Sequence, residues 1–146
     1  MKYFLSVPFS SRVDENGVVD AAYRADIEQL IGGLRQKGHE VFCALEHMHW
    51  STSELAVPED EFRKDLAEID SCHQMLILLE ERVSAGVQLE NGYAFAKGKQ
   101  FQTYQIGKAA WSNMAFARMA GDELLLVNSV GDFVDQALRR STQAEG

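Results

Sequence analysis

Strand-like and helix-like segments alternate along this chain, and that order restricts the fold more than any other feature. Residues 2–7 read as a first strand. Residues 21–37 read as a helix, because Ile27, Leu30, Ile31 and Leu34 recur at the i, i+3, i+4, i+7 spacing of one helical face. Gly38 stands where a helix end tolerates a left-handed backbone. A short strand is expected at 40–44 and a long polar loop at 46–58. Pro58, followed by Glu59, Asp60 and Glu61, opens a helix running to about residue 70, with negative charge where the helix dipole favours it. The apolar run 73–79 reads as a buried strand, 87–97 as a helix and 101–106 as a fourth strand. A short helix at 112–120, a fifth strand at 123–127 and a last helix at 131–140 complete the pattern, and 141–146 are expected to fray. Strands separated by helices pair in parallel, with helices on both faces. The expected fold class is therefore α/β: a flavodoxin-like, Rossmann-like three-layer sandwich on a five-stranded parallel sheet, order 2-1-3-4-5. A chain of 146 residues is long enough for a single domain with its own core.

Charge and cysteine usage narrow the function classes. A net charge of −8 argues against a general nucleic-acid binder, which needs a basic face. It leaves room for a small anionic substrate, since a few backbone N–H groups hold one phosphate. No apolar run approaches the length of a membrane span, and no signal peptide is expected ahead of the first strand. Cys43 and Cys72 flank predicted strands without ligand spacing, so reduced thiols and a cytoplasmic location are expected.

Chemistry concentrates in residues 84–99, Ser-Ala-Gly-Val-Gln-Leu-Glu-Asn-Gly-Tyr-Ala-Phe-Ala-Lys-Gly-Lys. They follow the buried strand, and in an open α/β sheet ligands bind at the carboxyl ends of strands, near helix amino termini. Glu90 is then expected to face a pocket, although a glutamate on a helix surface reads equally plainly from local sequence. The segment resembles the Ser-x-Gly-x-x-x-Glu-x-Gly-x-Ala motif of the nucleoside 2-deoxyribosyltransferase superfamily, closest to its 2′-deoxynucleoside 5′-monophosphate N-glycosidase branch. Further matches in the same order are Tyr3 on the first strand, Asp65 in Lys64-Asp65-Leu66, and Ser112 in a late Ser-x-Met.

The resemblance implies an N-glycosidase of nucleoside 5′-monophosphates, or a deoxyribosyltransferase that exchanges bases, working without cofactor or metal. A non-catalytic nucleotide-sensing domain on the same fold is the alternative from another class. The resemblance makes Glu90 the nucleophile that attacks C1′ of the sugar, and Asp65 the group that orients the sugar and helps protonate the departing base. Asp65 also reads as a solvated residue in a charge run, and Tyr3 as a core aromatic rather than a hydroxyl bound to Glu90. Ser84, Gly86 and Ser112, with its neighbour Asn113, are expected around the substrate; both serines also suit helix caps. Serine at 84 and 112 leans toward a 5′-phosphate, whereas the Pro8-Phe9-Ser10-Ser11-Arg12 loop departs from the glycine-rich loop of the phosphate-taking relatives. Arg12 remains a candidate phosphate partner. Residues 46–50, Glu-His-Met-His-Trp, are expected to be a base-binding loop with His47 or Trp50 on the nucleobase, or a surface loop with Trp50 tucked in. The expected partners are a small nucleotide or nucleoside and a second copy of the chain, with neither nucleic acid nor membrane.

Overall fold

The computed structural model describes residues 1–52, 57–120 and 123–144. Its strands are β1 (Lys2–Ser6), β2 (Glu40–Cys43), β3 (Gln74–Leu79), β4 (Gln100–Ile106) and β5 (Leu124–Val127). All pair in parallel, in the order β2-β1-β3-β4-β5. The helices are α1 (Ala21–Gln36), α2 (Ala44–His47), α3 (Pro58–Ser71), α4 (Ala85–Ala96), α5 (Trp111–Met119) and α6 (Val130–Arg140). The expected α/β class and strand order are those observed.

Alternation along the strands divides the core in two. Tyr3 and Leu5 of β1, with Leu76 and Leu78 of β3, pack under α1 and α6. Phe4, with Met75, Ile77 and Leu79, packs under α3 and α4. Helix α1 buries the predicted stripe Ile27, Leu30, Ile31 and Leu34, at about 1.5–3 kcal/mol per side chain. Asp20 caps it, accepting from the Tyr23 N–H at 2.9 Å. The parallel register sets Ser6, the last residue of β1, opposite Ile77, two residues before β3 ends at Leu79 and the chain turns into α4.

Three expectations are corrected. The segment after β2 is not all loop: α2 forms there because Leu45 is buried, and one turn is too short to show periodicity. Helix α4 starts at Ala85, two residues early, because Ser84 is its cap. The tail does not fray at Ser141. Lys37 Nζ donates to the Ser141 carbonyl at 3.0 Å, and the Ala144 N–H donates to the Lys37 carbonyl at 2.8 Å. Residues 53–56 of the expected loop and 145–146 of the tail lie outside the described residues. Cys43 and Cys72 are both free and buried. Among the described residues, no helix is long and apolar enough to cross a membrane.

Candidate active site

Helix α4 buries Val87, Glu90, Asn91 and Ala94, the i, i+3, i+4, i+7 stripe that normally carries apolar residues. Glu90 therefore sits on the face pressed against the sheet and is only 8% exposed. A lone buried carboxylate is costly, so its surroundings decide what it is for.

Those surroundings form a cleft of about 150 Å³ at the carboxyl end of the sheet. Leu5, Val7 and Phe9 come from β1 and the chain after it; Cys43, Ala44, Leu45 and Met48 come from the β2–α2 region. Helix α3 adds Phe62 and Asp65, and α4 adds Ser84, Gly86, Val87 and Glu90. Two carboxyls thus share an otherwise mostly apolar chamber, and among the described residues no Lys, Arg or His lines it. A Cβ built on Gly86 would meet nothing within 4 Å, so the cleft is open above the first turn of α4.

Both acids hold their protons unusually tightly. Burial, helped by the charges of Glu61 and Glu68, raises Asp65 to about 6. Burial raises Glu90 further, to about 8, and the Asp65 charge adds to the rise. The order is physically consistent: Asp65 ionises first, and its charge then opposes ionisation of Glu90. Between those values the pair carries one proton. One contact acts the other way: the Ser6 hydroxyl donates to Glu90 Oε1 at 3.1 Å.

The other sequence candidates divide. Ser84 lines the cleft and caps α4, its Oγ accepting from the Val87 N–H at 3.5 Å. Tyr3 does not reach Glu90. It lies three residues before Ser6 on the opposite face of β1, its ring edge-on to His39 with centroids 5.2 Å apart. The hydrogen bond expected from Tyr3 comes from Ser6 instead, because strand alternation turns residues 4 and 6 toward α4 and residue 3 away. Arg12 is engaged rather than free: it pairs with Glu80, which also accepts from the Ser11 hydroxyl at 2.9 Å. Its guanidinium lies over the Tyr23 ring, 4.7 Å from the centroid.

Trp50 is a core residue. Positive φ at His49 (56°) and Trp50 (61°) turns the chain inward, and the Trp50 ring joins the cluster under α1. Met48 reaches the cleft in its place. His47 lies outside the cleft, its Nε2 3.6 Å from Glu61 Oε2. Asn113 is buried and committed: its Oδ1 accepts from Gln88 Nε2 at 2.7 Å, and its Nδ2 faces Gln105 Oε1 at 3.4 Å. Ser112 is exposed and is not among the residues that line this cleft. Among the described residues, no three His, Cys, Asp or Glu side chains gather as a metal-ligand group.

Ser6, Phe9, Met48 and Phe62 escaped the sequence reading. Only Ser6 carried a local signal, as the one serine in a strand otherwise built of Lys2, Tyr3, Phe4 and Leu5.

No protein-family model matches this sequence, and no curated protein does. Solved structures do match. Against the CMP N-glycosidase BcmB of Clostridium botulinum the TM-score is 0.68, with 19% identity over 93% of this chain and 97% of that one. Against BlsM it is 0.65, with 20% identity over 95% and 90%. Against a 2-deoxyribosyltransferase of Bacillus psychrosaccharolyticus it is 0.62, with 18% identity over 92% and 91%. This chain has the fold that the CMP N-glycosidase, BlsM and the 2-deoxyribosyltransferase share.

Proposed function

We propose that this chain belongs to the nucleoside 2-deoxyribosyltransferase superfamily and hydrolyses the base–sugar bond of a nucleoside or deoxynucleoside 5′-monophosphate through a glycosyl ester on Glu90. The observation that carries this reading is the pair of carboxyls, Glu90 and Asp65, facing one mostly apolar cleft with one proton between them near neutral pH. That proton is the one a departing base needs. It moves from Glu90 to Asp65, and the freed Glu90 carboxylate bonds C1′ as the C1′–N bond breaks. The bonding pair leaves with the base, which takes the proton from Asp65. Water then attacks C1′, Asp65 accepts a proton from it, and the ester bond to Glu90 breaks to release the sugar phosphate.

The enclosed space is smaller than the roughly 300–1,000 Å³ of typical small-molecule sites, so it suits the sugar, with the base lying toward Phe9, Met48 and Phe62. The amino end of α4, with the Ser84 hydroxyl and the open space at Gly86, suits the phosphate through N–H and hydroxyl groups alone. Homodimerisation is part of the proposal. Helix α5 exposes Trp111 (80%) and Met119 (69%) beside exposed Ser112, which favours a partner subunit covering this face and Ser112 reaching the partner's cleft.

The fold likeness to a 2-deoxyribosyltransferase favours base exchange as the second reading, with a second base in place of water. Incubation with a panel of nucleotides and nucleosides, with and without an added free base, tests all of this. Release of free base supports hydrolysis, and exchange supports transfer. Tight binding without either would leave a sensing domain.

A further inference from the structure

We propose that Ser6 is the positioning residue of this cleft: its hydroxyl, fixed at the end of β1, holds one oxygen of Glu90 and leaves the other free to react. The inference rests on the reading of Glu90 as the reacting group, and the sequence motif matches do not include Ser6.

The geometry is specific. Ser6 is the last residue of β1, a strand held on both sides by β2 and β3. It is 1% exposed, so its hydroxyl cannot be satisfied by bulk water. A buried hydroxyl without a partner is destabilising, and the partner of this one is Glu90 Oε1 at 3.1 Å. Among the described residues, Glu90 Oε2 makes no hydrogen bond. One oxygen is thus tethered to the backbone of a central strand, while the other is unengaged.

The charges around Glu90 make this bond matter. Helix α3 brings Asp65, and β2 brings the buried Cys43 thiol, which feels the Glu90 charge. Helix α4 contributes no other ionisable lining group, and among the described residues no cation lines the cleft. The Ser6 hydroxyl is therefore the side-chain contact that favours the Glu90 anion, set against burial and the Asp65 charge.

The test is Ser6→Ala beside Ser6→Thr, which keeps the hydroxyl. Base release is followed from pH 5 to 10, and the Glu90 carboxyl is titrated by carbon-13 NMR in substrate-free protein. Loss of the hydroxyl is expected to lower kcat about 10-fold or more, with a smaller change in KM. It is also expected to move the alkaline limb of the pH–rate profile, and the NMR midpoint of Glu90, to higher pH, while Ser6→Thr stays near wild type. An Ala variant whose rate falls evenly at all pH values, with the Glu90 midpoint unmoved, overturns the assignment, as does one with wild-type rates. The NMR arm needs no turnover. A wild-type protein that releases no base, but whose Glu90 midpoint still rises in Ser6→Ala, sinks the glycosidase reading and leaves the Ser6 contact standing.

Discussion

The two faces of the sheet are built from the same strands and spend their interior differently. Under α1 and α6 the interior is mainly apolar, with His39 buried beside Tyr3 as its polar exception: Ile27, Leu30, Ile31 and Leu34 meet Val130, Phe133, Val134 and Ala137 over Tyr3, Leu5, Leu76 and Leu78. Under α3, α4 and α5, apolar residues share the space with buried Ser6, Glu90, Asn91, Thr103, Gln105 and Asn113. Among the described residues, Thr103 Oγ1 and Asn91 Oδ1 are buried there without a hydrogen-bond partner, against His39 Nδ1 on the other face. One face stores stability, and the other gives up part of it to hold polar groups where a substrate can meet them. The difference is useful because a substitution on each face should report on a different quantity.

The largest expected effect is on the polar face. Glu90→Gln should reduce base release by about 10³-fold or more, while the fold is kept, because the amide retains an acceptor for Ser6. Wild-type turnover in that variant, measured as free base, would dissolve the contrast between the faces. On the apolar face, Phe133→Ala should cost about 3–5 kcal/mol in denaturant unfolding and leave kcat of the folded fraction unchanged. A kcat loss without a stability loss would show that α6 is coupled to the cleft.

A pH series sharpens the comparison further. Burial raises Glu90 from an ordinary 4.5 to about 8, so the folded state resists its ionisation. Its contribution to stability is complete below about pH 4.5, where the unfolded chain also keeps the proton, and is lost as pH rises to about 8. Asp65 adds a loss of the same sign up to about pH 6. Wild type should therefore lose up to about 4 kcal/mol between pH 5 and 8.5 through Glu90, and Glu90→Gln should remove most of that slope. Parallel slopes in the two proteins would mean that Glu90 is not the stressed group. The smallest effect is expected at the mouth of the cleft. Ser84→Ala should shrink any preference for a 5′-monophosphate over its nucleoside by about 10-fold at most, equal to ~1.4 kcal/mol. An unchanged preference, read from kcat/KM on both substrates, would move the phosphate away from α4.

Legibility in the sequence followed the same division. The α1 stripe and the strand alternation could be read because the signal lies within a few consecutive residues. Glu90 was legible by its place after β3 and by the motif around it, whereas its lying on the buried Val87–Asn91–Ala94 stripe came only with the structure. Its neighbours were not. Tyr3 and Ser6 sit on one short strand, and only the pleat and the register with β3 decide which of them meets α4. Trp50 could be read as a base-stacking residue until the left-handed backbone at residues 49 and 50 turned it into the core. Arg12 could be read as free until Glu80, at the end of β3, took it.

What the sequence determined by itself is the order of the five strands and of the longer helices, hence the parallel sheet and the edge where a site must lie. Periodicity and capping are properties of neighbouring residues, and they survive without a tertiary context. What only the tertiary structure decided is the company Glu90 keeps: Ser6 from β1, 84 positions away, on one oxygen, and the Asp65 charge from α3 within its field. Contacts of that separation depend on register, crossover handedness and the burial that holds them, and those are set only when the whole chain has closed on its core.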